Sequence, residues 1–118
     1  SQVLEFRRRA TAIAHENAFS IREYAIWTEP ELFSIIMTGI VKETGLENEV
    51  QKDLFTQAVD KVLRLAQDMG GTMEYCHGVG LKLGYLVERE WGSGWEVARR
   101  LKHAIDPYGI MNPGKLGL

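Results

Sequence analysis

A single cysteine, Cys76, stands among 118 residues, so no disulfide can form within the chain. Low cysteine usage makes a reducing, cytoplasmic setting the expectation. No run of residues is long and apolar enough to cross a bilayer as a helix, and no signal-peptide pattern opens the chain. Net charge is nearly absent at −2, which removes any general attraction to nucleic acid or to a membrane surface. The local run Arg7-Arg8-Arg9 points in three directions on a helix and reads as a solvated face. Repeats, linkers and low-complexity segments are missing. So is a nucleotide cradle: Gly78-Val79-Gly80 has Leu83 where a dinucleotide fingerprint needs its third glycine, and the expected parallel βαβ context is absent. His15 and His103 lie far from Cys76-His77 without ligand-like spacing, so no closed zinc site is expected.

What is present is an ordinary globular composition, enough for one domain with a modest core. Ser1 is not a methionine and falls inside what reads as a helix, which suggests a processed product or, as the preferred expectation, an excised piece of a longer protein. Residues 2 to 17 place Val3, Phe6, Ala10, Ile13 and Ala14 at amphipathic-helix spacing. Two extended segments follow, about 20 to 28 and 32 to 42, joined by Thr28-Glu29-Pro30-Glu31; the pair predicts an antiparallel hairpin. The apolar density of the second predicts a central strand covered on at least one face.

The longest helix is expected from about 48 to 69, with Val50, Leu54, Phe55, Ala58, Val62, Leu65, Ala66 and Met69 forming a broad stripe. Gly70-Gly71 supplies its stop. Thr72 to Cys76 reads as a short strand leading into His77-Gly78-Val79-Gly80. A helix weakened by Gly84 is expected at about 81 to 91. A further helix, 93 to 105, is expected to begin with a capping box of Ser93 and Glu96, to bury Trp95, Ala98, Leu101 and Ile105, and to stop at Pro107. Trp91 and Trp95 read as core packing, with an interface to another domain as the alternative. The whole reads as α+β, a small antiparallel sheet packed against helices.

Two segments carry chemistry. His77, between a strand exit and Gly78, can serve as a general base, a metal ligand or a donor facing substrate, or it can simply cap the next helix. The turn's backbone N–H groups can also face an anion. Asp106-Pro107-Tyr108-Gly109-Ile110-Met111-Asn112-Pro113-Gly114-Lys115 packs two turns into ten residues, leaving Asn112 and Lys115 as polar groups on a rigid loop; an ordinary tail covering a helix end is the bland alternative.

Taken together, Gly71-Thr72-Met73, Cys76-His77-Gly78-Val79-Gly80 and the Asp106–Lys115 segment resemble the C-terminal domain of FAD-linked oxidases of the vanillyl-alcohol-oxidase type. That family includes glycolate oxidase, D-lactate and D-2-hydroxyglutarate dehydrogenases and alkylglycerone phosphate synthase. The resemblance covers roughly residues 48 to 118 well and the first forty more loosely, and it implies a ferredoxin-like cap-domain fragment. It implies FAD held mainly by a separate FAD-binding domain absent from this chain, a small hydroxy-acid or alcohol substrate, and hydride transfer to the flavin. On that pattern His77 is catalytic, Asn112, Lys115 and Gly78 lie by the cofactor, and Tyr75 and Cys76 lie by the substrate. Cys76 stands where many 2-hydroxy-acid dehydrogenases of the family carry a metal-binding glutamate. Phe33–Gly39 likewise lacks their histidine-rich metal motif, so no metal is expected. The alkylglycerone phosphate synthase relatives share His-Gly-Val-Gly, but Tyr75 and Cys76 replace their two preceding histidines. The alternatives are a fragment of that type of flavoenzyme and a stand-alone α+β module that binds an anion at the glycine turn.

Overall fold

The computed structural model describes residues 2–26, 32–39, 48–74 and 77–118. Its elements in chain order are α1 (Gln2–Glu16), β1 (Phe19–Ile26), β2 (Phe33–Gly39), α2 (Asn48–Asp68), α3 (Val87–Trp91) and α4 (Ser93–Ile105), with short 3₁₀ turns at Gly84–Leu86 and Lys115–Gly117. The chain divides into two units, Ser1–Gly71 and Thr72–Leu118. Its class is α+β.

In the first unit, β1 and β2 pair antiparallel from Phe19 opposite Gly39 to Ile26 opposite Phe33. The hairpin predicted from the sequence is therefore present, while the Thr28–Glu31 connection and residues Ile40 and Val41 lie outside the described residues. Along β1, Phe19 and Ile21 turn inward by simple alternation. An irregularity between Ile21 and Glu23 then changes the phase, so that Tyr24 pairs with Ile35. An extra residue in one strand has this effect because side chains alternate with period two. The shift brings Tyr24 beneath α1, where its hydroxyl meets Thr11 Oγ1 and the Arg7 guanidinium lies 4.3 Å from the ring centroid, a cation–π distance.

The core lies between the two helices and this hairpin. Ala10 packs with Val62 and Leu65, flanked by Phe6, Ile13, Ile35, Met37 and Met69. Ala14 packs with Phe19 and Ala58, flanked by Ile21, Met37 and Leu54. Ala10, Ala14 and Ala58 are all fully buried, and alanine at a helix contact lets neighbouring backbones approach closely. Phe19 meets the ring of Phe55 edge-on at 5.3 Å. The order helix, strand, strand, helix is the interior of a ferredoxin-like arrangement.

Three expectations change. Among the described residues the sheet has two strands, so β2 has one partner rather than a central position, and Ile36 remains 47% exposed. The α2 stripe is narrower than its sequence suggests: Ala58, Val62 and Leu65 are buried, but Val50 and Phe55 are exposed. Thr72–Glu74 carry no strand, and Tyr75 and Cys76 lie outside the described residues.

Leu65, only 4% exposed, tests this packing. Leu65→Ala is expected to destabilise the first unit by about 2–5 kcal/mol, whereas Val50→Ala should stay within about 0.5 kcal/mol. Urea unfolding of both variants measures the difference.

Candidate functional site

The second unit begins where α2 stops. Gly70 takes a left-handed φ of +78°, Gly70 N–H donates to Gln67 O at 3.0 Å and Gly71 N–H to Ala66 O at 2.9 Å. This paired closure satisfies the last carbonyls of α2. Met73 follows, buried, with its N–H donating to Glu90 Oε2 at 2.9 Å from α3.

His77 is then presented outward. Its side chain is 86% exposed. Glu74 holds its backbone, accepting the His77 N–H at Oε1 over 2.9 Å, and the same oxygen lies 3.6 Å from His77 Nδ1. Gly78 and Gly80 have φ of +72° and +55°, with open space where a side chain would project. Their glycines meet a backbone demand rather than a steric one. Glu74 escaped the sequence reading. Its only signal was a carboxylate three residues before the histidine.

The helix expected over 81–91 is shorter in the structure. Residues 80–83 form turns, the 3₁₀ turn spans Gly84–Leu86, and α3 starts at Val87. The cause is Gly84. A Cβ there would stand 2.8 Å from Gly117 N, and a Cβ on Gly117 would stand 2.7 Å from Gly84 O. The two backbones touch, so the chain's last turn rests on this stretch. Leu116 N–H donates to Gly80 O at 3.4 Å, and Trp95 Nε1–H donates to Leu116 O at 3.3 Å. The side chain of Leu81 packs against Gly114. The two segments singled out in the sequence are thus one structure: the His77–Gly80 turn and the Asn112–Gly117 loop are bonded together.

The loop itself hangs from Asp106. That residue follows α4 and is only 6% exposed. Its Oδ1 accepts the Ile110 N–H at 3.0 Å and its Oδ2 the Met111 N–H at 2.9 Å. Lys102 Nζ pairs with Oδ2 and donates to Met111 O at 2.7 Å. The bond from Lys102, helped by those from Met111 and Ile110, holds the Asp106 carboxyl below its ordinary value of 3.8, against the opposing effect of burial. Gly109 N–H closes the first turn onto Asp106 O at 3.1 Å, and Lys115 N–H closes the second onto Asn112 O at 3.3 Å. Asn112 has a left-handed φ of +47°, which asparagine tolerates better than most residues. Asn112 and Lys115 are exposed.

Two readings of α4 are corrected. No capping box forms: Gly92 precedes the helix and no side chain caps it. Glu96 instead binds Arg99 and Arg100 along the helix, and these bonds hold its carboxyl down to about 2. Nor does α4 bury the residues expected of it. Leu101 and Ile105 are 59% and 72% exposed, and Trp95 and Ala98 are half-buried. Periodicity marks an apolar face but not whether anything covers it. Trp91 is likewise exposed. Among the described residues, no three His, Cys, Asp or Glu side chains are grouped to hold a metal ion. No helix there is long and apolar enough to cross a membrane.

Residues 41–116 match the family described as FAD linked oxidases, C-terminal domain. The chain is 35% identical over 74 residues to the glycolate oxidase subunit GlcD of Bacillus subtilis, covering 62% of this chain and 16% of that protein. It is 40% identical over 78 residues to mitochondrial D-lactate dehydrogenase [cytochrome] 1 of Saccharomyces cerevisiae, covering 65% and 13%. With D-2-hydroxyglutarate dehydrogenase of Pseudomonas putida it shares 35% identity over 71 residues, covering 60% and 7%. The chain therefore spans a small fraction of the length of these relatives. No solved structure matches it.

Gly84 and Asp106 give two tests. Gly84→Ala is expected to destabilise by about 1–3 kcal/mol through the backbone clash, and Gly78→Ala by about 1–2 kcal/mol through its left-handed conformation alone; denaturant titration compares them. For Asp106 the folded carboxyl is lowered, so its stabilisation is complete above the unfolded value and fades as pH falls through the folded one. Asp106→Asn should lower Tm by several degrees at neutral pH, and the gap from the parent should narrow below pH 3.8. Melting curves across the acid range check this.

Proposed function

We propose a function that starts from one fact: this chain belongs to the family of C-terminal domains of FAD-linked oxidases. In the complete protein, the surface made by the His77–Gly80 turn and the Asn112–Lys115 loop forms one wall of a site for FAD and a small 2-hydroxy acid or alcohol. A separate FAD-binding domain of the same polypeptide supplies the other wall. The observation that carries this reading is the direct bonding of Leu116 N–H to Gly80 O, together with the exposure of His77, Asn112 and Lys115. A rigid joint displays three polar side chains that the unit's own interior does not use.

The residues suit such a ligand. The Asn112 carboxamide offers both a donor and an acceptor to a heteroaromatic edge, and Lys115 offers a positive charge to an anionic ligand. The open space beside Gly78 and Gly80 lets a flat group approach the backbone. Asn112, Lys115 and Gly78 would hold the cofactor on this side, while most of its binding belongs to the other domain, since the sequence carries no dinucleotide glycine fingerprint. When bound, FAD supplies the hydride acceptor for oxidation of a carbon bearing a hydroxyl.

The chain's own part is proton handling and orientation. His77 accepts the substrate hydroxyl proton at Nε2, and Glu74, 3.6 Å from Nδ1, is placed to orient the ring. Tyr75 and Cys76 adjoin His77 in sequence and are assigned to the substrate side. An imidazole this exposed works well only when water is excluded, which fits a site completed by another domain. The relatives named for glycolate, D-lactate and D-2-hydroxyglutarate support a hydroxy acid as the substrate class.

In the complete FAD-loaded protein, His77→Ala should lower kcat by about 10²–10⁴-fold while flavin content is retained. Unchanged turnover in that variant would sink the proposal. Stabilisation of the 118-residue chain by phosphate or small carboxylates, without any effect on turnover, would favour an anion-binding module instead.

A further inference from the structure

The geometry points to Lys102 and Asp106 as positioning residues for Asn112 and Lys115, a role that rests on the reading of their loop as a ligand-facing wall. Neither side chain is itself displayed. Asp106 is 3% and Lys102 25% exposed in the side chain, and their polar atoms are committed inward. Both carboxylate oxygens are occupied, Oδ1 by Ile110 N–H and Oδ2 by Met111 N–H and by Lys102. Lys102 also grips the Met111 carbonyl at 2.7 Å. Met111 is therefore held at both its N–H and its C=O, and the next residue is Asn112.

This matters because burial does little to place the loop. Tyr108 and Ile110 are 89% and 79% exposed, and Met111 is 54% exposed. Apolar packing therefore does not fix the peptide that leads into Asn112, whose left-handed φ of +47° asparagine tolerates better than most residues. Charge-assisted bonds to Ile110 and Met111 fix the two peptides before it instead. The following turn, Lys115 N–H to Asn112 O, carries the same placement on to Lys115. Lys102 also neutralises Asp106, so the loop meets a ligand with the charge of Lys115 unopposed by a bare carboxylate.

The test uses the complete FAD-loaded protein carrying Lys102→Met, Lys102→Arg, Asp106→Asn, Asn112→Ala and the Lys102→Met/Asn112→Ala pair. Lys102→Met should keep its flavin and speed amide exchange at Ile110 and Met111. Its kcat should fall about 10- to 100-fold through misplacement, with KM changed about threefold or less. Its visible flavin spectrum should shift in the same direction as that of Asn112→Ala, and Lys102→Arg should restore most of both. The double variant should be no worse than Asn112→Ala alone, because the two act through one group. Asp106→Asn, which keeps the side-chain size and one acceptor oxygen, repeats the test if Lys102→Met fails to fold. Faster exchange with unchanged kcat and spectrum, beside an impaired Asn112→Ala, overturns the positioning role and leaves the proposed function standing. An Asn112→Ala variant with normal kcat and spectrum overturns both.

Discussion

The second unit depends on one nearly buried carboxylate. Asp106 takes two backbone N–H groups and a lysine at the point where α4 ends, and so converts a helix terminus into the anchor of the turns that follow. Without it, Ile110 would lose its side-chain bond to the end of α4, and Met111 would keep only the one from Lys102. The contact of Gly84 with Gly117 closes the other end of the same loop. One end is held by charge and the other by the absence of side chains. Between these two fastenings the loop has little freedom, although most of its side chains face water.

The two units are stabilised differently. The first owes its form to apolar burial: Ala10, Ala14, Phe19, Ala58, Val62 and Leu65 close a core between two helices and a hairpin. The second has few buried apolar residues, Met73, Leu86 and Val87 among them, and relies on hydrogen bonds from turns and side chains. That difference suits their roles. On the proposed function, a surface offering His77, Asn112 and Lys115 to a ligand would not bury them, and a loop fixed by polar bonds can be held and exposed together. The apolar residues of α4 that face solvent, Val97, Leu101 and Ile105, follow the same division.

Much of this was legible in the residues. The spacing of Phe6, Ala10, Ile13 and Ala14 marked α1 and its buried face, and Gly70-Gly71 marked the end of α2, because helix periodicity and left-handed closure are local properties. The two site segments were legible as motifs, and their order and separation pointed to the family. Other features were not legible. The partnership of Glu74 with His77 looked like any carboxylate near a histidine. The spacing of Ser93 and Glu96 matches a capping box, but Gly92 takes the cap position and Arg99 and Arg100 hold Glu96. Leu101 and Ile105 obeyed the rule for burial without being buried, because an amphipathic pattern records a face and not its cover.

The sequence by itself determined α1, α2 and α4, the hairpin, the turn-forming glycines and the family, all of which rest on neighbours within a few residues or on the order of short motifs. Only the tertiary structure decided that the His77 turn and the Asn112 loop are one joint. The reason is distance along the chain: Gly84 and Gly117 meet backbone to backbone, and a close approach between such remote glycines leaves no periodic trace in the sequence of either.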